Sequence, residues 1–289
     1  MNIIDDLKLQ YNIGGIVIRL IMWNIALFVI PFLVFSLLAL AGFSIDYLQY
    51  VGLSSNPAVF ITQPWTIITY AFFHNGIMHI LFNMIVLNFA GRLFLTYFTG
   101  KQLLGVYVLG AVFAGFVYLL VFYVLAMSAP IVGASAAIMA ILVAVTTYNP
   151  VMDLRLLIIG NVKLWHVTAV ILFVDLIQLR SGNMGGHISH LAGAFFGFIF
   201  IKSLENGTDL SKIVSSVVLY FQNIFKNNTA TPFKKVYKSH HKPVAKPVSK
   251  IIIKDYKQQQ IDEILDKISQ SGYDSLSQNE KEFLFKVGK

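Results

Sequence analysis

Apolar residues in this chain come in long uninterrupted blocks. Six of them, at about 18–43, 77–98, 103–127, 135–149, 164–180 and 188–204, are nearly free of charge and predict six helices. Blocks of this kind suit a bilayer, whose hydrocarbon core of about 30 Å needs roughly 20 residues of helix. The expected fold class is therefore an all-α polytopic membrane protein, a six-helix bundle with a short central fourth helix. Between the first two blocks, "SIDYLQYVGLSSNPAVFITQPWTIITYAFFHNG" carries no Lys or Arg, and neither does the 127–134 connection. Arg92 and Lys101 flank the next connection, and Arg155 and Lys163 lie in the one after the fourth block; Arg180 is the exception. The positive-inside bias then puts both termini in the cytoplasm and the long loop outside, where Phe60, Trp65 and Tyr70 favour the headgroup level.

The pattern changes near the C-terminus. Residues 206–254 read as a basic, proline-containing linker, and residues 255–289 as a small helical hairpin. In the hairpin Ile261, Ile264, Leu265 and Ile268 recur on one face, and Ser277 with Glu280 makes a capping box. What the hairpin binds is not legible. His240 and His241, adjacent in the basic run, read as solvated residues.

Composition agrees with the membrane reading: 56% of the 289 residues are hydrophobic and only 12% are charged. A net charge of +8 suggests nucleic acid until it is mapped, for 15 of the 22 Lys and Arg residues fall between Lys202 and Lys289. Such a tail fits anionic lipid at a cytoplasmic face, and no nucleic-acid partner is expected. The absence of cysteine excludes disulfides, thiolate metal sites and a cysteine nucleophile. The N-terminal residues 1–17 carry two aspartates and no cleavable signal pattern, so the first block reads as a permanent span.

Polar groups at membrane depth are costly, so each is a functional candidate. The second block opens "FFHNGIMHILFNMIVLNF", with His79 and Asn83 on one helical face and His74 just before it. The sixth opens "GGHISHLAGAFFGF", with His187 and His190. The fourth begins at Ser135 in "PIVGASAAIMAI". Fifteen residues to Asn149 give about 22 Å of helix, so Ser135 would lie roughly 8 Å below the outer boundary of a 30 Å core. All these groups belong by topology to the same leaflet. Gly133 and the alanines around Ser135, with the G-x-x-x-G of Gly193 and Gly197, would let the fourth and sixth helices approach closely. Close approach is what a serine hydroxyl needs to reach an imidazole at about 2.6–3.2 Å.

Residues 15–205 resemble the rhomboid intramembrane serine proteases of the bacterial six-span type. The match lies in "HNGIMHILFN", with His74, His79 and Asn83; in "GAS" at 133–135; and in "HLAGAFFG", with His190, Gly193 and Gly197. The resemblance implies a serine endopeptidase cleaving transmembrane protein substrates in the bilayer, without cofactor or metal, in a bacterial cytoplasmic membrane. Ser135 would be the nucleophile and His190 the general base of a dyad without an acid. The Ser135 main-chain N–H and the side chains of His79 and Asn83 correspond to oxyanion donors, with His74 in support. His187 has no place in the motif and reads as a cavity-rim residue. Asp175, in the fifth block, faces the cavity or pairs with a histidine in this reading and is not taken as a triad acid.

Departures from the family pattern are Ala136 in place of a second glycine, Met139 where an aromatic is frequent, Thr66 where arginine is frequent and Leu95 where glutamate is frequent. Ala136 keeps open the alternative of a catalytically impaired relative that binds membrane clients. A proton-conducting transporter fits less well, because the polar groups cluster at one leaflet. A metalloprotease lacks its H-E-x-x-H.

Overall fold

The computed structural model describes residues 2–156, 160–180, 182–225 and 249–287. They divide into two units, 1–227 and 228–289. In the first, α1 (Ile3–Ile13) turns at Gly14 into α2 (Gly15–Leu40). The long loop folds into three short helices, α3 (Leu48–Val51), α4 (Pro57–Thr62) and α5 (Thr66–Thr69), with the two-residue strand β1 (Leu53–Ser54) between the first two. Then come α6 (Ile77–Leu95), α7 (Gly100–Val124), β2 (Pro130–Ile131) and α8 (Ser135–Tyr148). A hairpin of β3 (Asp153–Leu156) and β4 (Gly160–Lys163) leads to α9 (Leu164–Ile177), α10 (Met184–Glu205) and α11 (Ser211–Phe225).

Helices α2, α6, α7 and α10 are long and apolar enough to cross a membrane. With the 14-residue α8 and α9 they answer the six apolar blocks. The fifth helix is as short as the fourth, because its last three residues, Gln178–Arg180, tighten into a 3-10 turn. The bundle turns apolar side chains outward, among them Leu33, Leu37, Phe82, Leu120, Phe173 and Phe195. In lipid this costs nothing, whereas every backbone group must find a partner inside the protein.

Helix α8 is the hub. Nine of its residues, Ala136–Leu142 with Ala144 and Val145, are buried. It lies between α6, α7 and α10, and small residues set its distance from them. A Cβ at Gly110 of α7 would stand 2.6 Å from the Ala140 methyl. A Cβ at Gly193 of α10 would stand 2.1 Å from the Ala136 carbonyl oxygen, and one at Gly197 would stand 2.2 Å from that of Ala140. Two helices can approach this far only when glycine removes the side chain between them.

The long loop is fastened to the bundle rather than left in solvent. β1 pairs antiparallel with β2, Leu53 opposite Ile131. Tyr70 donates its hydroxyl to the Ala111 carbonyl at 2.7 Å, and Trp65 Nε1 donates to Tyr50 at 2.9 Å. Deeper in, Tyr107 donates to the Ala71 carbonyl at 2.7 Å, and Asn24 donates to Tyr107 at 3.3 Å and to the Leu20 carbonyl at 2.8 Å. These buried polar groups are satisfied, as a low-dielectric interior requires.

Residues 206–254 are not all linker. The amphipathic helix α11 occupies 211–225, and its Ser211 presses on Gly105 of α7, where a Cβ would come within 2.4 Å of the serine Cβ. Helix α12 (Ser249–Ser271) takes the other end of the stretch. His240 and His241 lie outside the described residues. In the second unit α12 is followed by a 3-10 turn and α13 (Gln278–Val287). Ser277 N–H donates to Glu280 at 2.7 Å and the Glu280 N–H returns to Ser277 Oγ at 3.4 Å, while Lys267 reaches Glu280 at 2.9 Å. Of the apolar face read in α12, Ile264 is buried but Leu265 is exposed.

Gly197→Ala tests the close approach. Overpacking of this kind costs about 1–3 kcal/mol, and here the obstacle is backbone. The expected result is a lowered melting temperature in detergent, measured against Gly182→Ala, whose Cβ would meet nothing within 4 Å.

Candidate active site

Four helices, α6, α8, α9 and α10, and the segment just before α6 deliver the polar groups. Helix α8 starts at Ser135, immediately after a loop whose Gly133 has φ +130°, a conformation that side-chain-bearing residues avoid. A Cβ at Gly133 would also lie 2.7 Å from Nε2 of His79. Gly133 therefore both turns the chain and makes room for that ring. Its N–H donates to the Tyr70 carbonyl at 2.8 Å, which ties the turn to the long loop.

Ser135 Oγ stands 2.7 Å from Nε2 of His190 on α10. The opposite nitrogen, His190 Nδ1, lies 2.9 Å from Asp175 Oδ1 on α9. The same oxygen lies 2.7 Å from His187 Nδ1, one turn before His190. From the sequence, Asp175 faces the cavity or pairs with a histidine without completing a triad, and His187 belongs to the cavity rim. The structure corrects the second and extends the first. His187 is buried and bound to Asp175, and Asp175, 5% exposed, sits directly behind His190. Helix α9 buries only Leu164, Thr168 and Asp175, so this carboxylate faces inward where most of its helix faces out.

On α6, His79 lies against Gly133, and its ring meets His74 edge-on at 5.1 Å. Asn83 is buried, and its Nδ2 donates to the His79 carbonyl at 2.9 Å. His74 is fully buried; its Nε2 accepts from the Ala134 N–H at 3.4 Å, beneath the turn that presents Ser135. Burial, and next the His79 ring beside it, push His74 down to about 4.

A cavity of about 790 Å³ opens in front of Ser135. His79, Asn83, His190 and Asp175 share its wall with the apolar Met78, Phe82, Ile138, Met139, Val170 and Val174. The cavity thus runs between α6 and α9, with the hydroxyl at its inner side. Ala136 does not line it. Its methyl group packs with Ala114 and Ala192, against Phe113 and Val117, on the far side of α8. The rotation of α8 thus turns this methyl away from the cavity. Thr66, another of the departures noted above, is buried and donates to the Gln63 carbonyl at 2.6 Å, which closes the local turn. Gly193 and Gly197 stay out of the cleft and act only in the α8–α10 contact.

A serine hydroxyl against an imidazole nitrogen, with a carboxylate on the other nitrogen, can pass a proton from oxygen to nitrogen. Among known families, residues 62–204 match the rhomboid domain. Residues 253–287 match a family of unknown function (DUF6576), over the C-terminal unit. A search of curated proteins finds no match to the chain.

The His74 shift has a pH consequence. Its folded value lies below the ordinary 6.5, so its contribution to stability is complete above about 6.5 and is lost as pH falls towards 4. The melting temperature of the wild type should fall across that window, and His74→Gln, which keeps an acceptor but does not titrate, should flatten the fall.

Proposed function

Because the chain belongs to the rhomboid family and is an integral membrane protein, we propose that it is an intramembrane serine endopeptidase acting through Ser135 and His190. The observation that carries this reading is the 2.7 Å separation of Ser135 Oγ and His190 Nε2. Ser135 attacks the scissile carbonyl as its proton passes to His190, and His190 then gives that proton to the leaving amine. The Ser135 N–H and the side chains of His79 and Asn83 are the oxyanion donors, each contributing about 3–4 kcal/mol. The positive end of the α8 dipole adds to them. Gly133 keeps His79 close to the nucleophile, and His74 holds the turn from below.

The substrates are transmembrane segments of other proteins. They enter the cleft between α6 and α9 from the bilayer and unwind locally, since a helical carbonyl is already hydrogen-bonded. Apolar walls suit such a segment, and residues that destabilise helices ease the unwinding. In this reading both termini are cytoplasmic and the site faces the outer leaflet, in agreement with the distribution of Lys and Arg. The alternative of a client-binding, catalytically impaired relative rested on Ala136. Its support weakens, since that methyl group packs away from the cavity.

Labelling of the purified protein with a serine-reactive fluorophosphonate is the test. Wild type is expected to label and to cleave a model membrane substrate. Ser135→Ala abolishes both, His190→Ala lowers both by at least about 10³-fold, and His79→Ala or Asn83→Ala lowers kcat by about 10²–10³-fold. Labelling that survives Ser135→Ala rejects the assignment.

A further inference from the structure

Asp175 stands behind His190 in a position that the serine–histidine pair alone does not require. We infer that it is a positioning residue for His190, and that His187 holds it in place. This rests on the proteolysis reading above. Helix α10 presents His187 and His190 three residues apart on one face, and α9 sets Asp175 Oδ1 2.7 Å and 2.9 Å from their Nδ1 atoms. One carboxylate oxygen thus accepts from two imidazoles, while the other, Oδ2, is buried and makes no hydrogen bond.

The arrangement has a chemical consequence. A carboxylate can only accept, so His190 must carry its proton on Nδ1, which leaves Nε2 as the lone-pair acceptor facing Ser135. When His190 takes the serine proton it becomes an imidazolium and keeps its Nδ1–H. Asp175 stays a carboxylate throughout, and no proton moves to it. The anion stabilises the cation that forms at 2.9 Å, in a site where water screens little. His187 supplies a second N–H, so that the carboxylate stays turned towards His190 when that side chain moves during the reaction.

Two other uses of the cluster fit less well. The three side chains have metal-ligating chemistry, and their ligand atoms lie within 4.8 Å of one another. Ligands of one tetrahedral zinc, each at about 2.0–2.1 Å, stand about 3.3 Å apart. The 2.7 and 2.9 Å separations are those of hydrogen bonds. Alternatively, Asp175 merely fastens α9 to α10. That role needs the hydrogen bonds and not the charge, so the two can be told apart.

Asp175→Asn keeps the shape and a carbonyl acceptor but removes the charge. In cleavage assays with a membrane substrate its kcat is expected to fall about 10²-fold with KM within threefold. The fluorophosphonate labelling rate should fall in parallel, and the melting temperature should stay within a few degrees. A fall of less than tenfold, or a loss carried by KM or by melting, overturns the proposal. The Nδ1 proton gives a second reading independent of turnover. A strongly downfield-shifted His190 Nδ1 proton resonance, told from that of His187 by its loss in His190→Ala and its retention in His187→Ala, is expected in wild type and in Ser135→Ala, and lost in Asp175→Asn. If wild type neither labels nor cleaves, the proteolysis reading fails, and this resonance alone decides whether Asp175 holds His190. Its absence from wild type overturns that.

Discussion

The contact of α10 with the backbone of α8 sets the geometry of everything else. Gly193 and Gly197 put Cα atoms where any side chain would strike the Ala136 and Ala140 carbonyls. In lipid no hydrophobic force pushes two apolar helices together, so the contact depends on dispersion and on polar groups satisfied across it. Removing two side chains is what gives both the chance to act. His190 lies one turn before Gly193 on the same helix, and Ser135 lies one residue before Ala136. The distance between hydroxyl and imidazole is therefore a property of helix packing, not of a flexible loop. Helix α7 supports α8 from the other side through Gly110 and Ala114.

The cost of this design is polar chemistry inside an apolar bundle, and it is met by local pairing. The turn before Ser135 is held at Gly133 by the Tyr70 carbonyl and at Ala134 by His74. The loop that contains Tyr70 is itself bound by the β1–β2 pairing and by the Tyr70 hydroxyl on Ala111. Asp175, the one acidic side chain in α9, is met by two imidazoles. Tyr70 and His74 are thus paired with the turn before Ser135, and Asp175 with the two histidines of α10. A site assembled this way is closely packed on the α8–α10 side and open on the α6–α9 side, where the lining is mostly apolar.

Much of this was readable from residue order alone. Long apolar blocks gave the helices to within three or four residues at each end, because a helix in lipid must satisfy its backbone internally and so has marked compositional edges. The motifs of His74, His79 and Asn83, of Gly133 to Ser135, and of His190, Gly193 and Gly197 marked the site, since polar and small residues are conspicuous among Leu, Ile and Phe. For Asp175 a pairing with a histidine was one of two readings, and which histidines it meets was not legible: that depends on the rotation of α9, which periodicity does not fix for a helix with only three buried residues. The direction of the Ala136 methyl was hidden for the same reason. Helix α11 escaped because its polar Lys212, Ser215, Ser216 and Gln222 broke the apolar pattern, while Val217, Phe221 and Ile224 share its open apolar face.

The central claim is that helix packing, through glycine, sets the serine–histidine distance. The most direct test is the fluorophosphonate labelling rate of Ser135 in a graded series at position 193, Gly193→Ala and Gly193→Val, on protein that still melts cooperatively. Neither variant changes a group that touches the reacting atoms. The rate is expected to fall stepwise as the side chain at 193 grows and pushes α10 away from α8. Wild-type labelling by folded Gly193→Val would contradict the claim.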